Sequence, residues 1–202
     1  NDSSFVYEPE TSQSLGFGFR SGFLGLLHME IIQERLEREF NLQLIITAPS
    51  VVYRVTQTNG DILMLDNPSK LPSGDRVALI EEPFIKACVL IPADSIGTIM
   101  QLCQDRRGIY KSTEFLDPTL PVLTYEMPFS EVVMDFYDKI KSATRGYGSL
   151  NYDFIGFKPS DLSRLDILIN GEPVDALSTI VYKEKAYDRG KALVKKLKEV
   201  IP

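Results

Sequence analysis

The stretch EPFIKACVLIP, residues 82–92, is a run of apolar side chains, several of them β-branched, that ends at a proline. A run of this length with a proline at its end predicts a buried strand. Downstream of it, apolar residues recur at helical spacing at Ile96, Ile99, Met100 and Cys103. The pattern therefore predicts a strand followed by a helix that stops at Arg107-Gly108.

A hairpin, a second helix and a last strand are predicted to follow. IYKSTEFL and PVLTYEMPF are extended runs separated by Asp117-Pro118, and SLNYDFIGF supplies the last strand. Before that strand, Ser130 is expected to open a helix. Its apolar stripe consists of Val132, Val133, Phe136, Ile140 and Ala143. The order β-α-β-β-α-β over residues 82–160 is the split βαβ arrangement of ferredoxin-like domains.

Residues 1–56 predict a shorter version of the same order. SFVYEPETS and LGFGFRS alternate like the arms of a hairpin, and an apolar helical stripe follows at Met29, Ile32, Leu36 and Phe40. LQLIITAPSVVYRV, residues 42–55, is expected to be the closing strand, broken near Pro49. This β-β-α-β order lacks the first strand and helix of a ferredoxin-like unit. Because that strand would be central in the sheet, its loss leaves backbone groups unpaired, and the chain is expected to be a fragment.

Two further segments complete an α+β chain with two ferredoxin-like units, the first of them truncated. Residues 57–81 predict a hairpin at Asn59-Gly60 followed by a linker. Residues 161–202 predict the beginning of a small α+β domain. It has two strands around Asn170-Gly171 and a helix whose inward side chains are Leu193, Leu197 and Val200.

Charge is distributed unevenly along the chain. The 202 residues carry a formal net charge of -6, which by itself argues against a generic nucleic-acid-binding protein, because affinity for phosphate backbones needs clustered Lys and Arg. Residues 183–202, however, hold seven Lys or Arg against three acids, so this tail carries +4 and the rest of the chain -10. The asymmetry predicts a local basic surface at the carboxy-terminal end. No apolar run approaches the roughly 20 residues of a membrane-spanning helix.

The glycine spacings of this sequence do not match the known nucleotide-binding motifs. Gly16 and Gly18 are followed by Gly22 one place late for a dinucleotide fingerprint, so these glycines are expected to shape a hairpin-to-helix junction. The only Gly-Lys pair, Gly190-Lys191, has Lys185 where a phosphate-binding loop needs glycine. We therefore predict no catalytic, cofactor-binding or metal-ligating residue.

The lone histidine and the two cysteines fit structural roles. His28 is expected to be a hydrogen-bonded, partly buried residue rather than a catalytic one. Cys88 and Cys103 have no CxxC partner, and one histidine is too few for a zinc site. They are predicted to be core thiols in a reducing compartment.

Positive groups at glycine-rich helix ends are the remaining candidates. Arg106 and Arg107 precede Gly108, and Arg145 and Tyr147 lie in the tract TRGYGS. Helix termination is the simpler interpretation of both tracts, because a cation favours the carboxy-terminal end of a helix dipole. For Arg145, RNA contact is weighed equally with it, because the Gly-Tyr-Gly tip beside this arginine could stack on a folded RNA. In the basic tail, RNA contact is favoured over a merely solvated face. The candidates there are Lys183, Lys185, Arg189, Lys191, Lys195, Lys196 and Lys198.

Four tracts resemble the elongation factor 4 (LepA) family of translational GTPases. The stretch LGFGFRSGFLGLLHMEIIQERLEREFNLQLIITAPSVVYRV resembles the family's third domain. EPFIKACVLIPADSIGTIMQLCQDRRG and the tract ending ATRGYGS resemble the fifth domain, which the family shares with elongation factor G. The portion from Leu162 onward resembles the beginning of the LepA-specific domain. Elongation factor G has an additional domain of more than a hundred residues between the third and fifth domains. Here only the hairpin and linker separate the two corresponding segments, as in the LepA family.

The resemblance implies a ribosome-binding factor that hydrolyses GTP and moves tRNAs back by one codon. GTP and Mg²⁺ would bind an amino-terminal domain that this fragment lacks, so the fragment itself is expected to be inactive. Its implied partners are ribosomal RNA, ribosomal proteins and tRNA, with no DNA. The implied location is the cytoplasm, with peripheral association at the cytoplasmic face of the membrane. The alternative is a regulatory module in which tandem ferredoxin-like domains bind a small molecule.

Overall fold

A computed structural model describes residues 3–47 and 49–200 and shows an α+β fold built on antiparallel sheets. Its helices are α1 (Leu26–Phe40), α2 (Ile96–Asp105), α3 (Phe136–Ala143) and α4 (Ala186–Val200). Its strands are β1 (Val6–Ser12), β2 (Gly16–Gly22), β3 (Tyr53–Gln57), β4 (Ile62–Leu65), β5 (Val77–Leu90), β6 (Ile109–Asp117), β7 (Leu120–Pro128), β8 (Ser149–Pro159), β9 (Leu162–Leu165), β10 (Leu168–Ile169), β11 (Glu172–Pro173) and β12 (Thr179–Tyr182).

The chain divides into two compact units. Unit 1 comprises Asn1–Ala48, Asn67–Arg76 and Ser160–Pro202. Unit 2 comprises Pro49–Asp66 and Val77–Pro159.

Unit 2 contains the complete ferredoxin-like domain that the sequence predicts. Its strands lie in the order β8-β5-β7-β6, all antiparallel to their neighbours. Alternate side chains of β5, Ile85, Ala87 and Val89, point to one face and are fully buried. Ile99 of α2 and Ile140 of α3 belong to the same buried cluster, so both helices cover this face of the sheet.

The strand predicted at residues 42–55 is wrong in extent and in partner. Residues 41–47 and 49–52 carry no strand, and β3 begins only at Tyr53. β3 pairs with β4 through a turn at Asn59-Gly60, and with the first part of β5. A strand needs a ladder of hydrogen-bonding partners, and these partners begin opposite Tyr53. The strand thus belongs to unit 2 rather than closing a sheet with the amino-terminal hairpin.

The helix predicted to open at Ser130 also begins later. A single 3₁₀ turn spans Phe129–Glu131, and α3 starts at Phe136. The backbone carbonyl of Glu131 accepts a hydrogen bond from Nη1 of Arg106 at 3.2 Å. This contact joins the 3₁₀ turn to the end of α2, and the first ladder bond of α3 runs from the amide of Lys139 to the carbonyl of Asp135 at 3.0 Å, so the regular helix begins only after the turn.

A buried ion cluster attaches the end of α2 to this 3₁₀ turn and to β5. Arg107 donates to both carboxylate oxygens of Glu82, at 2.6 and 3.1 Å, and its Nε donates to Glu131 at 3.0 Å. Arg106 binds Asp135 at 2.6 Å. The side chains of Glu82 and Glu131 are 0% and 2% exposed. Because buried charges are tolerated only when they are paired, the arginines make these carboxylates possible.

Unit 1 contains the predicted hairpin and the helix that follows it. β1 and β2 pair over seven residues, and the turn between them leads into Gly16, whose φ of 77° favours glycine. A Cβ at Gly18 or Gly25 would meet open space, so these two glycines serve no close packing. A hairpin followed by a helix is as predicted, but the role predicted for Gly16 and Gly18 at the junction is wrong, because Gly16 lies at the β1–β2 turn and Gly18 lies within β2.

The carboxy-terminal part of unit 1 is a set of short pairings. β9 pairs with β12, and β10 pairs with β11 around the predicted Asn170-Gly171 turn. α4 places Gly190 near Leu165, where a Cβ would lie 3.4 Å from the leucine side chain. Leu193 and Leu197 are half-buried as expected, but Val200 is 80% exposed. Its predicted inward position is wrong, because the last turn of α4 has no described element to cover it.

One carboxylate fastens the β1–β2 turn to the carboxy-terminal segment. Asp175 accepts hydrogen bonds from the backbone amides of Gln13, at 2.8 Å, and Ser14, at 3.1 Å. It also accepts from the hydroxyls of Ser12 and Ser14. These donors favour the ionised form, the Ser14 hydroxyl most of all, and lower the pKa of Asp175 to about 2.

Loss of the arginine pairing should destabilise unit 2. We expect Arg107→Ala to lower the free energy of unfolding by about 3–5 kcal/mol, because Glu82 and Glu131 would remain buried without their nearest cation. Urea unfolding followed by circular dichroism measures the change. Arg145→Ala is the matched control, since both arginines adopt positive φ at a helix end, while the Arg145 side chain is 84% exposed. We expect this control to change stability by less than about 0.5 kcal/mol. Equal losses in the two variants would contradict the structural role of Arg107.

Acid should loosen the β1–β2 turn. A carboxylate whose pKa is lowered in the folded state stabilises it above the pKa of the unfolded chain and loses this effect as the pH falls. We therefore expect the free energy of opening at the amides of Gln13 and Ser14 to fall by about 1–2 kcal/mol between pH 4 and pH 2. Hydrogen exchange measures it. Asp175→Asn should lower the protection at pH 6 and remove this pH dependence, and an unchanged acid response in that variant would assign the effect to other carboxyl groups.

Candidate nucleic-acid interface

The predicted contacts Arg106 and Arg107 face protein carboxylates. Both side chains are 16% exposed, and their guanidinium groups lie in the ion cluster with Glu82, Glu131 and Asp135. Burial acts to lower the pKa of Arg107, but its hydrogen bonds to Glu82 and the charges of the two glutamates outweigh burial and raise that pKa. RNA contact by these two arginines stays a prediction, and the geometry supports a role in stabilising unit 2.

Unlike Arg106 and Arg107, the candidates Arg145 and Tyr147 lie on an exposed loop. They follow α3 and precede β8, and their exposed fractions are 84% for the Arg145 side chain and 79% for Tyr147. The sequence therefore placed both candidates correctly on a tip. No described contact requires their outer surfaces for packing, so they are available to a partner.

The loop that carries them is nevertheless well fixed. The buried hydroxyl of Thr144 donates to the carbonyl of Ile140 and accepts from the amide of Gly148, both at 2.7 Å. A Cβ at Gly148 would lie 2.6 Å from side-chain atoms of Ile140 and Thr144, so only glycine fits there. Arg145 and Gly146 both have positive φ. The tip thus presents its two exposed side chains from a defined backbone.

A small cleft opens beside this tip, and we call it the tip cleft. Its volume is about 240 Å³. It is formed by the loop after β5 and the loop after α3, and its lining residues are Pro92, Asp94, Ser95, Thr144, Arg145 and Tyr147. The guanidinium of Arg145 lies 3.9 Å from a carboxylate oxygen of Asp94. Asp94 is the one charged residue of the cleft that sequence reasoning missed, because its position opposite Arg145 depends on the fold.

The tail candidates lie mostly on α4. Lys191, Lys195 and Lys198 follow one another at spacings of four and three residues, which places them on one exposed face that we call the basic face. Tyr187 lies one turn earlier, with its ring centroid 6.0 Å from the Lys191 ammonium nitrogen. Among the described residues, no ion pair joins Lys191, Lys195 or Lys198 to a carboxylate. The face thus carries three positive charges open to solvent.

The other tail candidates are more dispersed. Arg189 and Lys196 are exposed on α4, but their helical positions place them on a different face from Lys191, Lys195 and Lys198. Lys183 and Lys185 are in the 3₁₀ turn before α4, where Lys183 lies 3.5 Å from a carboxylate oxygen of Asp161. The structure therefore brings three of the seven tail candidates into one row.

His28, Cys88 and Cys103, which are expected to be structural, are all partly or fully buried. Nδ1 of His28 accepts a hydrogen bond from the backbone amide of Leu24 at 3.1 Å. Cys103 is buried in α2, where burial raises its pKa to about 12, and Cys88 is half-buried on β5. Such a pKa leaves the Cys103 thiol protonated and unreactive.

Metal-binding and small-molecule features are weak where the chain is described. Residues 3–47 and 49–200 contain no group of three or more His, Cys, Asp or Glu side chains that could hold a metal ion. A cavity of about 520 Å³ beside the end of α1 is lined by Glu37 and residues 42–45. Its lining offers one carboxylate and one amide side chain, fewer than the convergent polar groups that orient a metabolite. No helix in the described ranges is both long and apolar enough to span a membrane.

Two family models match adjacent parts of the chain. The model described as elongation factor G C-terminus matches residues 79–168, which include the ferredoxin-like part of unit 2. The model described as GTP-binding protein LepA C-terminus matches residues 169–202. Together they cover residues 79–202.

Curated relatives match over the entire chain. Proteins named elongation factor 4 from Bacillus cereus (strain Q1), Bacillus anthracis (strain CDC 684 / NRRL 3495) and Halalkalibacterium halodurans are each 57% identical over 202 residues. The match covers 100% of this chain and 33% of each relative, so the chain spans about one third of their length.

A solved structure supports the fold. A crystal structure of a protein from Thermus thermophilus superimposes with a TM-score of 0.50 at 16% identity, covering 76% of this chain and 36% of that one. At this identity the likeness concerns the fold alone. The sequence matches go further, and from them the chain belongs to the elongation factor 4 (LepA) family, in which it corresponds to the carboxy-terminal part.

Proposed function

We propose that this chain is the ribosome-docking part of a translation factor of the elongation factor 4 type. The observation that carries the proposal is the 57% identity that extends through all 202 residues to proteins of that name. Identity at this level over both units favours the same binding partner as that of the relatives over a different one. In the whole protein, this part would bind ribosomal RNA, ribosomal proteins and tRNA while GTP hydrolysis takes place in a different domain.

The basic face of α4 is proposed to contact RNA phosphates. Lys191, Lys195 and Lys198 lie in a row on a chain whose remaining charge is strongly negative. Phosphate contacts by such lysines supply affinity without reading sequence, and they release bound counterions. Because tRNA and ribosomal RNA offer the same phosphate chemistry, the basic face suits either of them.

The tip of unit 2 is proposed as a second RNA contact. Arg145 and Tyr147 combine a cation with an exposed ring, and unstacked RNA bases stack on both kinds of group. Arg106 and Arg107 are left out of this contact because their guanidinium groups pair with protein carboxylates, Arg106 with the half-exposed Asp135 and Arg107 with the buried Glu82. The two proposed contacts belong to different units, so each is tested by its own variants.

The biological role is proposed at two levels of detail. At the coarser level, the factor takes part in protein synthesis in the cytoplasm and acts together with GTP. At the finer level, it promotes accuracy by moving tRNAs back by one codon, with these two units serving as docking and transmitting parts. We do not extend the proposal to membrane association, for which the described residues offer no support.

Ribosome binding by this chain should be electrostatic. We expect co-sedimentation with ribosomes to weaken steadily as salt rises, because each lysine-phosphate contact releases a counterion. Lys195→Glu should weaken binding about tenfold at low salt. It should also reduce the slope of the logarithm of the binding constant against the logarithm of salt concentration by about 1, the value for one lost phosphate contact. Quantitative pelleting across a salt series measures both effects.

Lys86→Glu is the charge-matched control for that experiment. Lys86 is exposed on β5 of unit 2, and its reversal changes the net charge by the same amount. We expect it to leave binding unchanged within twofold. Equal weakening by the two variants would show a net-charge effect and remove the basic face from the interface. Absence of any ribosome binding by the unaltered chain would overturn the proposed function itself.

A further inference from the structure

We propose that the tip cleft binds a single unstacked guanine base of a folded RNA, with the carboxylate of Asp94 selecting that base. This inference rests on the proposed RNA-binding function and adds to it a site, a ligand and a residue that determines specificity. Four steps carry it: the size of the cleft, its stacking surfaces, its acceptor and its single cation.

The size of the cleft suits one base. Its volume of about 240 Å³ lies below the roughly 300–1,000 Å³ of pockets that enclose drug-sized ligands. A single purine ring system is thus a suitable occupant, and an extended ligand is not. The Thr144 and Gly148 contacts hold one wall in place, so the cleft does not need a partner to form.

Two exposed planar groups lie at the wall formed by the α3–β8 loop. The ring of Tyr147 is 79% exposed, so its surface is open to a stacking partner. The Arg145 guanidinium is a second plane in the same lining. Aromatic rings and guanidinium planes are the surfaces on which proteins stack bases that RNA loops extrude.

Asp94 supplies the acceptor that distinguishes one base from the others. Its Oδ1 accepts a hydrogen bond from the Ser95 hydroxyl at 3.1 Å and retains further lone pairs, and its Oδ2 lies 3.9 Å from Arg145. An ionised carboxylate only accepts, so its best partner presents two adjacent donors. Guanine does so through N1–H and the N2 amino group. Adenine and cytosine place a ring acceptor beside their amino group, and that acceptor would oppose a carboxylate oxygen.

The charge of the cleft favours a base within RNA over a free nucleotide. Arg145 is the only cation among the six lining residues, which suits the single negative charge of a phosphodiester. A nucleoside triphosphate needs a cradle of backbone amides and several cations. Neither is present in the lining of the cleft.

The test uses four RNA hairpins that differ at one unpaired loop position, which is guanine, inosine, adenine or cytosine. The isotope-labelled chain is titrated with each, and the amide signals of Ser95, Gly146, Tyr147 and Gly148 report occupancy of the cleft. We expect the guanine hairpin to bind at least tenfold more tightly than adenine or cytosine. Inosine lacks the N2 amino group and should bind several-fold more weakly than guanine, because one hydrogen bond to a charged acceptor is lost.

Two variants separate recognition from stacking. Asp94→Asn keeps the size of the side chain but removes one acceptor, so the preference for guanine over adenine should fall below threefold. Tyr147→Ala should weaken binding of all four hairpins to a similar extent. Glu114→Gln is the matched control, since it removes one exposed carboxylate from β6 of the same unit and should change neither affinity nor preference.

The outcomes distinguish this inference from the proposed function. Equal binding of the four hairpins, or a guanine preference that survives Asp94→Asn, overturns the inference, and ribosome binding by the unaltered chain then leaves the proposed function standing. If free GTP shifts the same amide signals and binds as tightly as the guanine hairpin, the cleft is a nucleotide site and the inference is overturned. A guanine preference that Asp94→Asn removes supports it, and co-sedimentation then reports whether this contact contributes to ribosome binding.

Discussion

The coverage of one face of β5 is the constraint on which unit 2 depends. This strand pairs with β3, β7 and β8, and its alternate side chains have no solvent on the covered side. α2 and α3 must lie across it to bury the apolar side chains, which places the loop after β5 beside the loop after α3. The tip cleft is a consequence of this packing, since its two walls come from those loops.

The arginines at the two helix ends have different roles because of their neighbours. Arg107 and Arg145 both precede glycine, both have positive φ and both end a helix, so their local sequences are nearly equivalent. Arg107 meets Glu82 and Glu131, whose burial requires a cation. Arg145 meets only the exposed Asp94 at 3.9 Å. The first arginine stabilises the fold and the second stays accessible.

Unit 1 depends more on hydrogen bonds than on a large core. Its β1–β2 turn is fastened by Asp175, which lies 162 residues after Gln13 along the chain. On the hairpin, Arg20 pairs with Glu10, and Asn67 donates to that same carboxylate at 2.7 Å. These contacts join the hairpin to residues of the linker and of the LepA-matched segment.

Local patterns in the sequence determined the elements that local forces produce. The alternation and helical spacing of residues 82–160 predicted the ferredoxin-like order, and Asn59-Gly60 and Asn170-Gly171 predicted their turns, because periodicity and positive φ are properties of a few neighbouring residues. The family resemblance also depended on sequence alone. Tertiary structure decided which strand β3 joins, why α3 starts late, which arginines are buried and where Asp94 meets Arg145. These outcomes depend on partners that are distant along the chain, and no local pattern specifies which distant groups a fold will bring together.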